Sequence, residues 1–468
     1  MTMIWEEVFA ATGAVLHSGN LHRNETIPHI TTDTRKIAAG DLFVALRGEN
    51  FDGADFAAEA LQKGAAAVLV STPLSASVQK ELKKAQGAVL TVGDTLAAYQ
   101  AIAHAWRMKF DIPVVAVTGS NGKTTTKDLT AAVLSGRGPV CRTAANYNNE
   151  VGLPLTLLGI TEKDTAAVVE IGMRGLGQIA ALAPAAAPTI GIVTNVCEVH
   201  MELLGSIENI AKAKAELVQA IPAGGTVILN TDDERVAAMR SCAADGVRVL
   251  TYGLKADADV RTEALRLAAD GAQFMVTWAN ERHDYSIPLA GRHNVSNALA
   301  ALAAGFVLGL TPQEIQAGLC ALAPSKMRYE VHTVGAWRLI NDAYNASPSS
   351  MRAALETTAA LYHGRRIAVL GDMLELGDAA EEAHREIGRR AAELGFAALV
   401  TYGPQAQWMH EAAEAAGCPV CRHAATHEAA AEHLRALLRD GDTVLFKGSR
   451  GMKMEAVIAL LTGEEAGH

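Results

Sequence analysis

The sequence predicts an α/β protein with three domains whose sheets consist largely of parallel strands. Short apolar runs that end in Gly or polar residues alternate with Ala-rich helical stretches along the chain. This alternation is typical of strand–helix–strand units. The chain has 468 residues, which at roughly 150 residues per domain corresponds to about three domains.

Composition and charge exclude several other classes of protein. Hydrophobic residues make up 50% of the chain and charged residues 20%, so large cores are available and general disorder is excluded. The net charge of −10 argues against a nucleic-acid partner. The sequence has no apolar run of the roughly 18 residues that a membrane span needs, and its start does not resemble a secretory signal. We therefore expect a cytoplasmic protein without a membrane span.

Three blocks of strands and helices follow one another, at residues 1–91, 92–324 and 325–468. The first block contains a helical stretch between two strand-like runs. Strands are predicted at 42–46 and 65–70 in the first block, at 114–117, 167–170, 190–194 and 226–229 in the second, and at 367–370, 398–401 and 443–446 in the third. We expect the third block to form a second doubly wound sheet, because each of its strands leads into a turn.

A Gly-rich turn follows the predicted strand 114–117 and precedes a helical stretch. The turn reads Thr118, Gly119, Ser120, Asn121, Gly122, Lys123, Thr124, Thr125. This order is that of a P-loop, in which backbone N–H groups and the helix N-terminus bind phosphate. Lys123 is expected to reach the β- and γ-phosphates, and Thr124 to offer its hydroxyl to Mg²⁺. The usual first Gly of the motif is Val117 here, which leaves a Gly-rich turn without a ligand as the alternative.

Glu170 and His200 follow two further predicted strands of the central block. Ligands of open parallel sheets bind beyond the carboxyl ends of the strands, so these side chains are expected at the same edge as Lys123. A carboxylate suits Mg²⁺, and His200 is a second ligand or a hydrogen-bond donor; a solvated strand end is the alternative for Glu170. Lys212 and Lys214 lie on the next helix, where their spacing alone favours a solvated basic face.

Together these motifs resemble the Mur ligases, ATP-dependent amide ligases of peptidoglycan precursor synthesis. The resemblance rests on the P-loop, on Glu170 and on His200 followed by Lys214, and it extends over nearly the whole chain. Further similar segments are 291–298 at an adenine-contacting helix start, 326–330 at the hinge into the third domain, and 341–348 at that domain's opening motif.

Within this family, two sets of segments narrow the resemblance. Segments 32–35 and 40–48 are similar to the family's uridine-binding domain. Segments 146–156, 342–346, 370–377 and 446–452 resemble the members that add D-alanyl-D-alanine to a UDP-N-acetylmuramoyl tripeptide. Ala54 stands where the family often has His, which bears on the uridine contacts.

The resemblance implies a small α/β uridine-binding domain at 1–91, a central ATP-binding P-loop domain at 92–324, and a C-terminal Rossmann-like ligase domain at 325–468. Other members of the superfamily, a diamino-acid-adding ligase or a folylpolyglutamate synthase, are the nearest alternatives. A P-loop nucleotide switch is the alternative from another class, but the sequence has no Asn-Lys-x-Asp base-reading motif.

The resemblance also implies roles for individual residues. The expected catalytic residues are Lys123, Glu170, His200, Lys214 and Arg328. The residues expected to bind ATP are the P-loop from Thr118 to Thr125, with Asn294 and Asn297 at adenine, Arg328 at the γ-phosphate and Asp342 at the ribose. The expected ligands of one or two Mg²⁺ ions are Thr124, Glu170, His200 and Lys214, the last as a CO₂-derived carbamate.

The UDP-muramoyl-tripeptide and D-Ala-D-Ala are the small-molecule partners that the resemblance implies, for a chain expected to be a monomer. Candidate residues are Asp33, Arg35 and Arg47 for the uridine nucleotide, Asn146, Asn148 and Asn149 for the muramoyl peptide, and Tyr344, Asn345, Ser449 and Arg450 for the dipeptide. For the dipeptide set, plain turn architecture is the alternative.

Overall fold

A computed structural model describes residues 3–48, 51–199, 201–255, 257–323 and 325–463. The chain forms two compact units, each made of several segments. The first comprises Met1–Ala116, Gly138–Ile171 and Ala180–Thr189, and the second comprises Val117–Arg137, Gly172–Ile179 and Ile190–His468. Within the described residues, no helix combines the length and apolar character that crossing a membrane requires.

The first part of the first unit is a small sheet with helices. Its elements are β1 (Met3–Ile4), α1 (Trp5–Thr12), β2 (Val15–Ser18), β3 (Thr26–Ile27), β4 (Ile30–Thr31), β5 (Leu42–Val44), α2 (Ala57–Gln62), β6 (Ala67–Ser71), α3 (Ala76–Leu82), β7 (Ala88–Val92) and α4 (Thr95–Arg107). The strands β2-β7-β6-β5-β4 form one sheet in that order, antiparallel only between β2 and β7. Trp5, Tyr99 and Trp106 lie in the core on one side of it.

The middle of the chain contributes to both units. Its elements are β8 (Val114–Thr118), α5 (Lys123–Leu134), β9 (Val140–Arg142), α6 (Gly152–Leu158), β10 (Ala166–Glu170), α7 (Gln178–Ala186), β11 (Ile190–Val193), α8 (Met201–Leu204), α9 (Ile207–Ala220), β12 (Thr226–Asn230), α10 (Glu234–Ala238), β13 (Arg248–Gly253), β14 (Val260–Ala268), β15 (Gly271–Trp278), β16 (Glu281–Ile287), α11 (Arg292–Val307) and α12 (Pro312–Cys320).

The strands of this middle region are parallel at first and antiparallel later. In the first unit β9 pairs with β10 in parallel, and in the second unit β11, β12 and β13 are parallel neighbours. β14, β15 and β16 then form an antiparallel meander, which sequence analysis missed. Ala279 and Asn280 both have positive φ in the turn between β15 and β16, a backbone conformation typical of tight hairpins.

Helix α5 packs against α11 and α12 in the second unit. Two glycines allow this close approach. A Cβ added to Gly305 would lie 2.7 Å from Val133, and one added to Gly318 would collide with the carbonyl of Ala132. The helix behind the Gly-rich turn is therefore fixed by packing along its length.

The C-terminal part of the second unit is the expected doubly wound sheet. Its elements are β17 (Glu330–Val334), β18 (Trp337–Asp342), α13 (Pro348–Leu361), β19 (Arg366–Gly371), α14 (Ala380–Glu393), β20 (Ala398–Tyr402), α15 (Ala406–Ala415), β21 (Cys421–Ala424), α16 (His427–Leu437), β22 (Thr443–Lys447) and α17 (Glu455–Thr462). The strand order is β17-β18-β22-β19-β20-β21, with only β17 antiparallel.

Alternate residues along these strands supply two cores, one on each face of the C-terminal sheet. Leu445 of β22 packs with residues of α13, α14 and α15, whereas Val444 and Phe446 pack with residues of α16 and α17. Both faces are covered by helices, as the apolar strands predict. The expected α/β class, with a doubly wound C-terminal sheet, is therefore confirmed.

Candidate active site

The Gly-rich turn joins β8 to α5 in the second unit, and its backbone conformation requires glycine at two positions. Gly119 has φ of +149° and Gly122 has φ of +78°. A Cβ at Gly119 would collide with the hydroxyl of Thr194, and a Cβ at Gly122 would lie 2.5 Å from Oδ1 of Asn297. The loop therefore forms a cradle at a helix N-terminus, which fits the phosphate groups of a nucleotide.

Lys123, the first residue of α5, folds back over this loop. Its ammonium donates to the carbonyl oxygens of Gly119 at 2.8 Å and Ser120 at 3.0 Å. The positive charge therefore lies at the loop itself, where an anionic ligand would neutralise it.

Asn195, which follows β11, was not among the expected site residues. Its amide side chain accepts from the backbone N–H of Asn121 at 2.8 Å and donates to the carbonyl of Asn121 at 3.1 Å. Its own carbonyl accepts from the N–H of Ser120 at 2.9 Å. A primary amide thus replaces a neighbouring peptide group and fixes the middle of the loop. The signal in the sequence is an amide side chain at the end of a buried strand.

Arg328 reaches the same loop from the segment before β17. Its guanidinium donates to the hydroxyl of Thr124 at 2.9 Å and lies over the ring of Tyr344, 4.1 Å from the centroid. The residues on either side, Met327 and Tyr329, have φ of 58° and 57°. A left-handed residue on each side of one arginine is costly for residues with side chains, and the fold maintains both beside the loop.

Asp342, at the end of β18, is paired with a lysine that sequence analysis missed. Lys447 ends the neighbouring strand β22, is 3% exposed, and donates to Oδ2 of Asp342 at 2.7 Å and to the carbonyl of Asn345 at 3.0 Å. Oδ1 of Asp342 accepts from the N–H of Tyr329 at 3.1 Å. The two charged residues are direct register partners of parallel strands, so a lysine at the end of an apolar strand was the available signal.

The start of α11 lies beside these groups. Asn294 donates to the carbonyl of Ala290 at 2.8 Å, and Asn297 donates to Asn294 at 3.3 Å; both side chains are buried. Burial lowers the pKa of His293, while the charge of Asp342 acts in the opposite direction. The second unit therefore brings Asn297 to the loop, and Asp342 close to His293 on the same helix.

Helix α9 buries one of its two lysines. Ser206 caps the helix by accepting from the N–H of Asn209 at 3.2 Å, as serine commonly does before a helix. Lys214 is 2% exposed, whereas Lys212 is exposed. Burial moves the pKa of Lys214 well below its usual value, and the charge of Lys123 lowers it further. The buried amine therefore favours its neutral form, which is the form that reacts with CO₂.

Glu170 lies in the first unit, at the end of β10. It is 2% exposed, accepts from the side-chain amide of Asn148 at 2.7 Å, and donates its N–H to the hydroxyl of Thr143 at 3.0 Å. Asn149 accepts from the first N–H of α6 at 2.9 Å, and Asn146 is exposed. Among the described residues, no group of three or more His, Cys, Asp and Glu side chains is arranged to hold a metal; His200 lies outside the described residues.

The candidate uridine-side residues of the first unit form two local ion pairs. Arg35 donates to both carboxylate oxygens of Asp33, at 2.8 and 2.9 Å. This pairing lowers the pKa of Asp33 to about 2. Arg47 lies 3.1 Å from Asp52 in a separate pair. Each arginine side chain is more than three-quarters exposed, so a ligand could compete for it.

The candidate dipeptide residues lie at the carboxyl edge of the C-terminal sheet. Asn345 accepts from the N–H of Arg450 at 3.3 Å, and the guanidinium of Arg450 pairs with Glu455 at 2.6 Å. The hydroxyl of Ser449 accepts from the N–H of Leu374 at 2.9 Å. Asn345 and Ser449 thus help to hold the turns of this edge, next to the pair of Asp342 and Lys447.

The fold and site of the second unit are those of a P-loop nucleotide-binding protein. Arg328 and the pair of Asp342 and Lys447 lie beside its phosphate cradle. Three models of one family match the chain: "Mur ligase family, catalytic domain" at residues 26–107, "Mur ligase middle domain" at 117–305, and "Mur ligase, glutamate ligase domain" at 327–450.

Curated relatives and solved structures agree with these matches. The UDP-N-acetylmuramoyl-tripeptide--D-alanyl-D-alanine ligase of Synechocystis sp. is 40% identical over 446 residues, which are 95% of this chain and 94% of that protein. A crystal structure of MurF from Acinetobacter baumannii matches with a TM-score of 0.89 at 29% identity, over 99% of each chain. MurF ligase from Thermotoga maritima in complex with ADP matches with a TM-score of 0.82 at 26% identity, over 93% of this chain and 97% of that chain.

The chain therefore belongs to the Mur ligase family, and the resemblance carried by its motifs is confirmed. It is an ATP-dependent ligase that forms C–N bonds.

Proposed function

We propose that the chain joins D-alanyl-D-alanine to UDP-N-acetylmuramoyl-tripeptide, consuming ATP and giving UDP-N-acetylmuramoyl-pentapeptide for peptidoglycan synthesis. The proposal draws on the printed activity of the Synechocystis relative, which aligns over 95% of this chain. The observation that supports it most directly is the phosphate cradle with Arg328 hydrogen-bonded to Thr124. It supports the proposal because a guanidinium beside the phosphate cradle is a suitable partner for a terminal phosphoryl group.

The reaction needs activation because a carboxylate and an amine do not condense readily in water. The terminal carboxylate of the tripeptide attacks the γ-phosphorus of ATP, and ADP leaves. The amine of D-Ala-D-Ala then attacks the carbonyl carbon of the acyl phosphate, loses a proton, and phosphate leaves. Positioning and neutralisation of phosphoryl charge supply most of the catalysis in such transfers.

The second unit offers groups for each part of ATP. We assign the loop N–H groups and Lys123 to the phosphates, since that ammonium already lies against the loop. Arg328 is assigned to the γ-phosphate, Asn294 and Asn297 to adenine, and Asp342 to the ribose. A carboxylate is a suitable acceptor for ribose hydroxyls, and the hydrogen bond from Lys447 orients it.

Mg²⁺ and a carbamate complete the proposed site. Thr124, Glu170, His200 and carbamylated Lys214 would hold one or two ions, directly or through water. Bound Mg²⁺ would neutralise charge on phosphoryl oxygens. Lys214 fits the carbamate because its pKa is lowered by burial; attack of the neutral amine on CO₂ with loss of a proton converts it into an anionic oxygen donor, which a hard cation prefers.

The remaining candidates are assigned to the two other substrates. Asp33, Arg35 and Arg47 would contact the uridine nucleotide, Asn146, Asn148 and Asn149 the muramoyl peptide, and Tyr344, Asn345, Ser449 and Arg450 the dipeptide. We propose the corresponding division into a uridine-binding domain at 1–91, an ATP-binding domain at 92–324 and a ligase domain at 325–468. The proposal includes a monomer, and a cytoplasmic location because ATP and the UDP-linked substrate are cytoplasmic metabolites.

Phosphate release from ATP and Mg²⁺ tests the proposal, with UDP-muramoyl-tripeptide and D-Ala-D-Ala each present or absent and with a free diamino acid in place of D-Ala-D-Ala. We expect full release only with both substrates and a UDP-muramoyl-pentapeptide product by mass spectrometry. Release that needs a free diamino acid in place of D-Ala-D-Ala would agree with a Mur ligase but would contradict the addition of D-Ala-D-Ala. Release that ignores both substrates would favour a nucleotide switch.

A further inference from the structure

Asn121, in the middle of the phosphate loop, has its backbone fixed independently of its side chain. The amide of Asn195 binds its N–H and its carbonyl, at 2.8 and 3.1 Å. The hydroxyl of Thr194 donates to the same carbonyl at 2.7 Å. The side chain of Asn121 is therefore not needed to hold the loop backbone.

That side chain instead bonds to the start of α13, which belongs to the C-terminal sheet region of the same unit. Its Nδ2 donates to Oγ of Ser349 at 2.8 Å, and its Oδ1 accepts from Oγ of Ser347 at 3.0 Å. These partners are 228 and 226 residues away in sequence. One amide thus joins the phosphate loop to a helix that directly follows the segment of Asp342 and Tyr344.

The two serines differ in their second role. Ser347 is the N-cap of α13, and its hydroxyl accepts from the N–H of Ser350. Ser349 lies within the first turn, where its hydroxyl also approaches that of Ser347 at 3.5 Å, and the thiol of Cys197 is a further neighbour. The contact with Asn121 can therefore be removed at Ser349 while the cap remains.

We propose that Ser347 and Ser349 are positioning residues that hold the ligase segment against the phosphate loop by way of Asn121. Asn121 lies between Gly119 and Gly122, whose backbone forms the cradle, so the loop that would bind phosphate also presents the amide to both hydroxyls. The segment that leads into this helix carries Asp342 and Tyr344, and Tyr344 stacks on Arg328. The pair of serines thus aligns the γ-phosphate side of the site with the ribose side. This inference rests on the ligase activity proposed above.

Ser349→Ala is the direct test, assayed as pentapeptide formation. Loss of one hydrogen bond is expected to lower kcat by roughly 3- to 10-fold, while KM for ATP stays within about twofold because Lys123 and the loop N–H groups are untouched. Ser349→Thr keeps the hydroxyl and should restore most of kcat. Ser350→Ala is the matched control: it weakens the same helix turn without touching Asn121, and should leave kcat within about twofold.

A double-mutant cycle shows whether Ser349 acts through Asn121. Ser349→Ala should cost nothing further in an Asn121→Ala background, since the partner is already lost. Equal losses in both backgrounds, an unchanged kcat for Ser349→Ala, or the same loss for Ser350→Ala would each overturn the inference. Melting temperatures of all variants separate these outcomes from unfolding. If the proposed function itself fails, the unmodified chain forms no pentapeptide. The effect of Ser349→Ala is then measured on the rate of phosphate release from ATP.

Discussion

Two buried lysines of the second unit and an exposed arginine of the first unit are held in opposite ways. In the second unit, Lys447 is buried and pairs with Asp342, 105 residues away in sequence, and Lys214 is buried within α9. In the first unit, Arg35 is 84% exposed and pairs with Asp33, only two residues away. Buried charges with distant partners are fixed by the fold, whereas exposed local pairs exchange readily with water and ligands. We therefore expect large effects from the first kind and small effects from the second.

Replacing Lys214 should have the largest effect on activity, because the variant could not form the proposed carbamate and would lack its anionic oxygens. Lys214→Ala should lower pentapeptide formation by about 100-fold or more. Added short-chain carboxylates should restore part of the activity, since alanine leaves room for them. Lys214→Met fills that room without an amine and should not respond. The measurement is the initial rate with and without acetate or formate.

Lys212 is the natural control for this change, being on the same helix but exposed. Lys212→Ala should keep activity within about twofold. Full activity in Lys214→Ala, or equal losses for the two alanine variants, would contradict the proposed carbamate on Lys214.

The pair of Lys447 and Asp342 should give the next largest effect. Lys447→Met leaves the carboxylate without its cation and should raise KM for ATP about tenfold, with a loss of about 1–3 kcal/mol in the free energy of unfolding. Steady-state kinetics with ATP and with 2′- and 3′-deoxy-ATP would locate the defect: if Asp342 serves the ribose, one deoxynucleotide should show a smaller difference between variant and unmodified chain. The same substitution at the exposed Lys163 serves as control. A folded variant with unchanged KM would exclude this role for Lys447.

Much of the fold followed from local sequence, because apolar strands and helix-stop residues act over a few positions. The predicted strand 226–229 lies within β12. The phosphate loop was equally readable, since its glycines and Lys123 are consecutive. The meander of β14 to β16 was missed because β14 and β16 are only partly buried and lack the apolar runs that mark the buried parallel strands.

Side chains that act through distant partners were harder to foresee. Lys447 meets Asp342 only because the sheet places β22 beside β18. Ser349 meets Asn121 only because the fold brings α13 to the phosphate loop. Burial decides between Lys212 and Lys214, and composition alone favoured neither. Sequence thus suggested candidate ligand-contacting groups, but it did not indicate Lys447, Asn195 or Ser349, which hold such candidates in place.

Arg35 should give the smallest effect, and it tests the other side of the comparison. Arg35→Ala should raise KM for the UDP-linked substrate by about threefold with little change in kcat, as for an exposed charge. It should also raise the pKa of Asp33 from about 2 towards its ordinary value of 3.8, although the backbone N–H of residue 35 still bonds that carboxylate. An NMR titration of the Asp33 carboxyl group measures this directly.

The pH dependence of this pair has a defined sign. Because the folded pKa of Asp33 is depressed, its contribution to stability is present above the unfolded value near 3.8 and is lost as the pH falls through about 2. Stability curves of Arg35→Ala and the unmodified chain should therefore differ above about pH 4 and converge in stronger acid. Arg35→Lys keeps the charge but loses the forked contact, and should lie between them. If Arg35→Ala instead reduced activity as strongly as Lys447→Met, an exposed local pair would be as firmly fixed in its role as a buried one, and the comparison between the units would fail.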